Sequence, residues 1–175
     1  MSDLPVLTTL IRALDFAAAK HRMQRRKDAD ASPYINHPIA LAAVLAVEAG
    51  IDDPVVLCAA VLHDTVEDTE TSVAELAEHF GAEIAGVVAE VTDDKSLDKQ
   101  ARKELQVQRA AHSSTAARLV KLADKICNLR DLLAAPPAGW SAERKRAYFD
   151  WAARVIDGLR GTHAGLESIF DGLYA

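Results

Sequence analysis

Four ionisable side chains lie close together at the end of a run of apolar residues, in the segment AAVLHDTVEDTE. They are His63, Asp64, Glu67 and Asp68. If this segment is helical, Glu67 and Asp68 lie one turn beyond His63 and Asp64 on the same face. Ionisable groups at the edge of an apolar core are costly unless something compensates them. A metal held by the first pair, with two carboxylates a turn away, is an arrangement suited to hydrolysis.

Two side chains elsewhere in the chain could complete a metal site. His37 precedes Pro38 at a predicted helix start, and Asp124 lies in the segment KLADKICNLRD. Two imidazoles and two carboxylates suit Mn²⁺ or Fe²⁺ and are compatible with Zn²⁺. The spacing leaves other interpretations open: a histidine before proline can be a surface residue, and Asp124 can be a solvated charge beside neighbouring lysines.

The balance of charge indicates the class of substrate. Two aspartates would neutralise the charge of a divalent metal, and Glu67 and Asp68 would then leave the site negative. A phosphorylated substrate would therefore need cations nearby. The chain has a net charge of −6, yet it carries the basic run KHRMQRRK just before His37. We expect Lys20 and Arg22 to be solvated, whereas Arg25, Arg26 and Lys27 could bind phosphate or could equally be solvated. Further along the chain, Tyr148 could stack on a base.

Helices must position these residues, because capping signals and helical periodicity recur while strand alternation is nearly absent. Half of the 175 residues are hydrophobic and only 5% are aromatic, which is typical of a compact all-α protein. We predict one domain over residues 1–175. The apolar face of the first helix comprises Leu7, Leu10, Ile11, Leu14 and Ala18, and later faces include Leu122, Ile126 and Leu133. Ser72 with Glu75 predicts a capping box, and Trp151 has the spacing of a core residue. The predicted helices span about 4–21, 38–50, 53–66, 72–81, 82–91, 115–135 and 141–159, with a charged helix after residue 98 and a short helix at the end.

The bulk properties argue against several functions. An acidic chain whose only dense basic run lacks aromatic residues is a poor candidate for binding nucleic acid. The first 20 residues contain Asp3, Arg12 and Asp15, so we expect neither a secretion signal nor a membrane span. Cys58 and Cys127 lie in apolar helical patterns, as reduced core cysteines of a cytoplasmic protein do.

The order of His37, His63-Asp64 and Asp124 resembles that of the HD-domain phosphohydrolase superfamily. More narrowly, the chain is similar to the hydrolase domain of RelA/SpoT enzymes, and most of all to the stand-alone small alarmone hydrolases of the metazoan SpoT homologue type. The segments that carry this resemblance are RRKDADASPYINHP, AAVLHDTVEDT, VTDDK, LVKLADKICNLRDL, GWS and YFDWA.

This resemblance implies a helical HD-domain bundle that hydrolyses the 3′-pyrophosphate of ppGpp or pppGpp with a single Mn²⁺, in whose place Fe²⁺ or Zn²⁺ could stand. It implies metal ligands at His37, His63, Asp64 and Asp124, and a catalytic pair at Glu67 and Asp68. It also implies substrate contacts at Arg26, Lys27, Lys99, Asn128, Arg144 and Tyr148.

Three alternatives remain open. The resemblance also allows removal of the 2′-phosphate of NADPH, because a pocket that binds phosphates and ribose could accept both substrates. A second alternative is a nucleotide-binding module that has kept the fold without catalysis, although such a module has no need of both Glu67 and Asp68. Nucleic-acid binding through KHRMQRRK is the third. The oligomeric state, and closure of the 92–100 segment over substrate, are not determined by the sequence.

Overall fold

Helices make up all the repeating secondary structure of residues 6–175, the part of the chain that the computed structural model describes. The predicted all-α class is therefore confirmed, while residues 4 and 5 of the first predicted helix lie outside the described range. The helices are α1 (Val6–His21), α2 (Asn36–Ala43), α3 (Pro54–Leu62), α4 (Thr65–Asp68), α5 (Val73–Phe80), α6 (Ala82–Val91), α7 (Lys99–Ala110), α8 (Thr115–Ala134), α9 (Ala142–Leu159) and α10 (Ala164–Tyr174). A π-helical turn, Val44–Glu48, extends α2.

Short polar side chains fix several helix starts. The side chains of Asp53, Ser72 and Ser141 each accept a hydrogen bond from a backbone N–H in the first turn of the helix that follows. Such a cap is worth about 1 kcal/mol, and the starts predicted at these residues are confirmed. The predicted capping box at Ser72 is only half formed, because the Glu75 side chain pairs with Lys20 at 2.9 Å.

The helix predicted over residues 53–66 is interrupted. α3 ends at Leu62, and a separate short helix, α4, begins at Thr65. The buried Thr65 hydroxyl donates to the Leu62 carbonyl oxygen at 2.7 Å, which satisfies a carbonyl that the break leaves free. His63 and Asp64 therefore lie in a turn at the end of a helix whose residues from Val56 to Leu62 are all buried.

The core forms around α3 and α8. Leu122 and Ile126 of α8 are fully buried, as predicted, but Leu133 is 59% exposed, and its neighbour Leu132 is buried instead. The apolar face predicted for α1 is partly confirmed, because Leu10 and Leu14 pack against the core. Leu7 and Ile11 are exposed, however, and the residues buried against α3 include Ala13 and Ala17. Small side chains permit the close approach of these two helices.

A close contact also joins α7 to α9. A Cβ atom added to Gly158 of α9 would lie 2.7 Å from the Cβ of Ala110 on α7. Because no Cβ pair tolerates that distance, the glycine allows α7 to lie against α9 at the edge of the site described below. None of the described helices combines the length and the apolar character that crossing a membrane requires.

Candidate active site

Three helices bring two histidines and an aspartate together in the core. His37 lies in the first turn of α2, His63 follows α3, and Asp124 lies in the middle of α8. Their side chains are buried, and one ligand atom from each lies within 4.8 Å of the other two. The Nε2 atoms of His37 and His63 lie 3.3 and 3.9 Å from the same Asp124 Oδ1.

The chemistry of these donors fits a divalent metal. His63 Nδ1 donates to the Ala60 carbonyl oxygen at 2.7 Å, so Nε2 is the nitrogen turned towards the carboxylates. That Nε2 is buried, and although an Asp64 oxygen lies near it, no group among the described residues forms a hydrogen bond with it in suitable geometry. Buried polar atoms are rarely left in this state, and a metal between the imidazoles and Asp124 would give the nitrogen its partner.

Asp64 adjoins this cluster. Its Oδ2 lies 2.9 Å from His63 Nε2 and accepts a hydrogen bond from the Tyr34 hydroxyl. Burial opposes the charge on both members of the His63–Asp64 pair, but their attraction outweighs it, so the pKa of His63 rises to about 9 and that of Asp64 falls below its ordinary value. Tyr34 was not predicted to be a site residue. The sequence indicates it only by its position three residues before the predicted ligand His37.

Asp124 has two further partners on its own helix. The amide of Asn128 donates to Oδ1 at 2.8 Å, and Lys125 Nζ lies 3.0 Å from Oδ2. Although burial opposes ionisation, Lys125 and His37 hold the pKa of Asp124 well below its usual range. Lys125 itself is only 2% exposed, and its Nζ lies 4.4 Å from the ring centroid of Trp151. Asp124 therefore carries a buried charge that Lys125 compensates.

The predicted catalytic pair lies on α4, held from two sides. The backbone N–H of Asp93 donates to Glu67 Oε2 at 3.0 Å, and burial raises the pKa of Glu67 above its ordinary value. Lys95 forms an ion pair with Asp68. On the other side, the Gln24 amide donates to the Asp68 carbonyl oxygen at 2.6 Å. The segment after α6 thus contacts both predicted catalytic carboxylates.

Two adjoining cavities surround these groups. The smaller, of about 280 Å³, is lined by His63, Asp64, Glu67 and Asp124, and the larger, of about 560 Å³, by the basic connection after α1. Both are lined by Arg26, Tyr34, His37, Asp68, Asn128 and Tyr148. The wall of the smaller cavity contains six Lys or Arg residues, namely Arg26, Lys99, Arg102, Lys103, Lys121 and Lys125. These cations offset the carboxylates, so the cavity suits a phosphorylated ligand.

The predicted substrate-contact residues are distributed unevenly over the two cavities. Lys27 lines only the larger cavity and Lys99 only the smaller. Arg144 lines neither, and its guanidinium instead lies 4.2 Å from the ring centroid of Trp140. Trp151 was predicted to be a core residue and is only 9% exposed, yet it also lines the smaller cavity.

Further lining residues escaped the sequence analysis. Trp140 lies in the wall of the larger cavity, and α7 contributes Arg102, Lys103 and Gln106 to the smaller. The α7 residues share helical spacing with Lys99, which is a signal the sequence does contain. Nothing local shows that this face of α7 is turned towards the metal cluster, because that depends on the packing of α7 against α9.

Known proteins are similar to this chain over most of its length. The HD-domain family model matches residues 13–150. The human guanosine-3′,5′-bis(diphosphate) 3′-pyrophosphohydrolase MESH1 is 58% identical over 165 residues, which cover 94% of this chain and 92% of the human protein. The Drosophila melanogaster protein of the same name is 53% identical over 164 residues, with the same coverage. A solved structure of a metazoan orthologue of SpoT that hydrolyses ppGpp matches with a TM-score of 0.92 and 52% identity, covering 95% of this chain and 93% of that one. The chain therefore belongs to the HD-domain family, as a homologue of the MESH1 proteins.

Proposed function

We propose that this protein is a metal-dependent guanosine-3′,5′-bis(diphosphate) 3′-pyrophosphohydrolase, which converts ppGpp or pppGpp to GDP or GTP and pyrophosphate. The observation that carries the proposal is the 58% identity to the human enzyme of that name over nearly the full length of both chains. The buried His–Asp cluster beside a cavity walled by cations supports it independently. The two free, buried cysteines are compatible with a cytoplasmic location.

We assign the metal ligands as His37, His63, Asp64 and Asp124, with Mn²⁺ as the metal. Two imidazole nitrogens with two carboxylates suit Mn²⁺ or Fe²⁺, and they can also hold Zn²⁺. When bound, such a metal lowers the pKa of a coordinated water and offsets negative charge on a reacting phosphate.

Glu67 is assigned as the proton acceptor. Its carboxylate is half-buried and keeps a backbone donor, the N–H of Asp93 at 3.0 Å, so its position is fixed. The raised pKa of Glu67 makes it a stronger base than an exposed carboxylate. Asp68 is assigned to orient the attacking water; its carboxylate pairs with Lys95, and the residue lines both cavities.

The reaction breaks one phosphorus–oxygen bond. Water attacks the phosphorus that is bonded to the ribose 3′-oxygen. The bond between this phosphorus and the 3′-oxygen breaks, and the 3′-oxygen takes up a proton. Glu67 accepts the proton that the water loses. Pyrophosphate leaves with the oxygen of the water, and the nucleoside 5′-diphosphate or 5′-triphosphate is the second product.

The larger cavity is assigned to the nucleoside. It has room for one, it is lined by Arg26, Lys27 and Tyr148, and it meets the smaller cavity at Asn128. In this arrangement the phosphates extend towards His37 and Asp124. Lys99 lies on the phosphate side, and Arg144 acts through its contact with Trp140.

Turnover of ppGpp by the purified protein tests the proposal. With Mn²⁺ present we expect GDP and pyrophosphate in equal amounts, and with EDTA we expect no turnover. Glu67→Gln should lower kcat by about 10²–10⁴-fold. Glu78→Gln changes an exposed carboxylate on α5 that lines neither cavity, so it serves as the matched control and should retain activity.

Other results would assign a different function. Orthophosphate released from NADPH, without pyrophosphate from ppGpp, would identify a nucleotide 2′-phosphatase that uses the same site. Tight binding of ppGpp with turnover of neither nucleotide would identify a binding module.

A further inference from the structure

One face of α7 is cationic and turned towards the smaller cavity. Lys99, Arg102, Lys103 and Gln106 all line that cavity, and none of them lines the larger one. Their spacing of three, four and seven residues places them on one side of the helix. The packing of Gly158 against Ala110 holds α7 to α9 and so fixes which side of α7 the cavity meets.

The three cations of this face lack counter-ions within residues 6–175. No carboxylate oxygen of that range lies within 4.0 Å of a charged nitrogen of Lys99, Arg102 or Lys103. The Nε of Arg102 is moreover buried without a hydrogen-bond partner among the described residues. By contrast, Glu104 of the same helix pairs with Arg154 of the facing helix α9 at 3.0 Å and not with any of these three cations.

The Lys103 ammonium lies beside two aromatic rings. Its Nζ lies 4.7 Å from the ring centroid of Trp151 and 5.6 Å from that of Tyr148. The Trp151 indole N–H donates to the Lys103 carbonyl oxygen at 3.0 Å, which ties the ring to α7. Burial, followed by the charges of Lys99 and Lys125, lowers the pKa of Lys103. An anion at this position would relieve that unfavourable charge.

We propose that the cationic face of α7 binds the terminal phosphate of the substrate's 3′-diphosphate, and that Arg102 and Lys103 thereby make the site select a diphosphate over a monophosphate. This inference rests on the proposed function. The reacting phosphorus lies at the His–Asp cluster, the nucleoside occupies the larger cavity, and the second phosphate extends to α7. The product that keeps both phosphates, pyrophosphate, remains on this face after the ribose 3′-oxygen has left.

The geometry explains why the nucleoside lies elsewhere. The side chains of α7 contribute charge to the smaller cavity, whose volume of about 280 Å³ is half that of its neighbour. Flexible cationic side chains recognise phosphate oxygens, and Arg can bind two of them at once. A terminal phosphate is dianionic or nearly so, which makes it the part of the substrate that best matches three unpaired cations.

Binding of inorganic pyrophosphate and of orthophosphate tests the proposal directly. Both are titrated at a fixed free Mn²⁺ concentration, and isothermal titration calorimetry measures each Kd. In Arg102→Gln and Lys103→Gln we expect the Kd for pyrophosphate to rise about 10- to 100-fold, the effect of losing one charge-assisted hydrogen bond. The Kd for orthophosphate should change less than threefold, and kcat/KM for ppGpp should fall with the affinity for pyrophosphate.

Arg109→Gln is the matched control. Arg109 is exposed on the same helix and lines neither cavity, so the same change of charge should leave both affinities unaltered. Thermal unfolding of each variant shows whether the fold is kept. If one lining variant unfolds, the other still tests the proposal.

The outcomes separate this inference from the proposed function. Equal losses of affinity for pyrophosphate and orthophosphate, or no loss in either variant, would overturn the role of α7 while ppGpp hydrolysis stood. If the wild-type protein binds pyrophosphate through Arg102 and Lys103 but does not hydrolyse ppGpp, the proposed reaction fails and the diphosphate site stands.

Discussion

Replacement of Lys125 by methionine should destabilise the metal-free protein and strengthen its binding of metal. Lys125 is 2% exposed and compensates the charge of Asp124 at 3.0 Å. Methionine keeps an unbranched apolar stem of similar length against Trp151, so the substitution removes the charge with little loss of packing. In the absence of metal, Asp124 is then left as a buried carboxylate without its cation.

The structure sets the size of the effect. Removing one partner of a buried ion pair costs about 3–5 kcal/mol. Asp124 keeps the Asn128 amide at 2.8 Å and the His37 imidazole at 3.3 Å, so we expect the lower end, about 3 kcal/mol. For a chain of 175 residues this corresponds to a fall in Tm of about 6–12 °C.

A bound divalent cation would compensate the charge of Asp124 in place of Lys125. Lys125→Met should therefore lose less stability with metal present than without it. Linkage then requires the variant to bind metal more tightly than the wild type, by tenfold for each 1.4 kcal/mol of the difference. This consequence distinguishes compensation of charge from positioning, because a lysine that merely positioned Asp124 would weaken metal binding when lost.

Thermal unfolding followed by circular dichroism in EDTA and in Mn²⁺ measures both effects. Arg154→Met is the control, because Arg154 and Glu104 form a pair of similar length, 3.0 Å, whose side chains are 53% and 42% exposed. Its loss should cost less than about 1 kcal/mol, with or without metal. The reasoning is wrong if Lys125→Met in EDTA loses no more stability than the control, or if Mn²⁺ stabilises it less than it stabilises the wild type.

Three other predictions concern the same site and its support. Burial raises the pKa of Glu67 in the folded protein. The neutral form of Glu67 therefore adds to the free energy of unfolding at low pH, and this contribution is lost as the pH rises through the raised pKa. Glu67→Gln should therefore be at least as stable as the wild type at pH 8 by thermal unfolding, although it is nearly inactive, and wild-type activity should rise with pH through an acid limb above the ordinary carboxylate range. Gly158→Ala should lower the free energy of unfolding by about 1–3 kcal/mol, measured by chemical denaturation, because the added Cβ has no room. Gly86→Ala, in open space on α6, should leave the free energy of unfolding unchanged or raise it by up to about 1 kcal/mol. Equal effects of the two substitutions would contradict the packing argument. Tyr34→Phe should weaken Mn²⁺ binding about 10- to 100-fold in calorimetry by freeing the Asp64 carboxylate, and unchanged affinity would show that this hydrogen bond does not orient a ligand.

Local signals in the sequence located most of the helices and several of the site residues. A cap such as Ser141 acts on the first turn that follows it, so a short segment contains the whole interaction. The break after Leu62 was not predicted, because the hydrogen bond that stabilises it requires a buried Thr65, and burial is a property of the folded chain. The apolar face of α1 was predicted only in part for a related reason: hydrophobicity favours Leu7 and Ile11, but the residues that pack closely against α3 are alanines.

The sequence by itself determined the family, the all-α class and the set of ionisable residues around His63, because the spacing of residue types along one chain is enough to show these features. The tertiary structure decided which charges compensate one another. The burial of Lys125 against Asp124, the hydrogen bond from Tyr34 to Asp64 and the exclusion of Arg144 from both cavities depend on how α2, α3, α8 and α9 pack. Electrostatic interactions depend on distance and on burial in three dimensions. Tyr34 and Asp64 approach each other only when the chain folds, and even the adjacent residues Asp124 and Lys125 become buried only then.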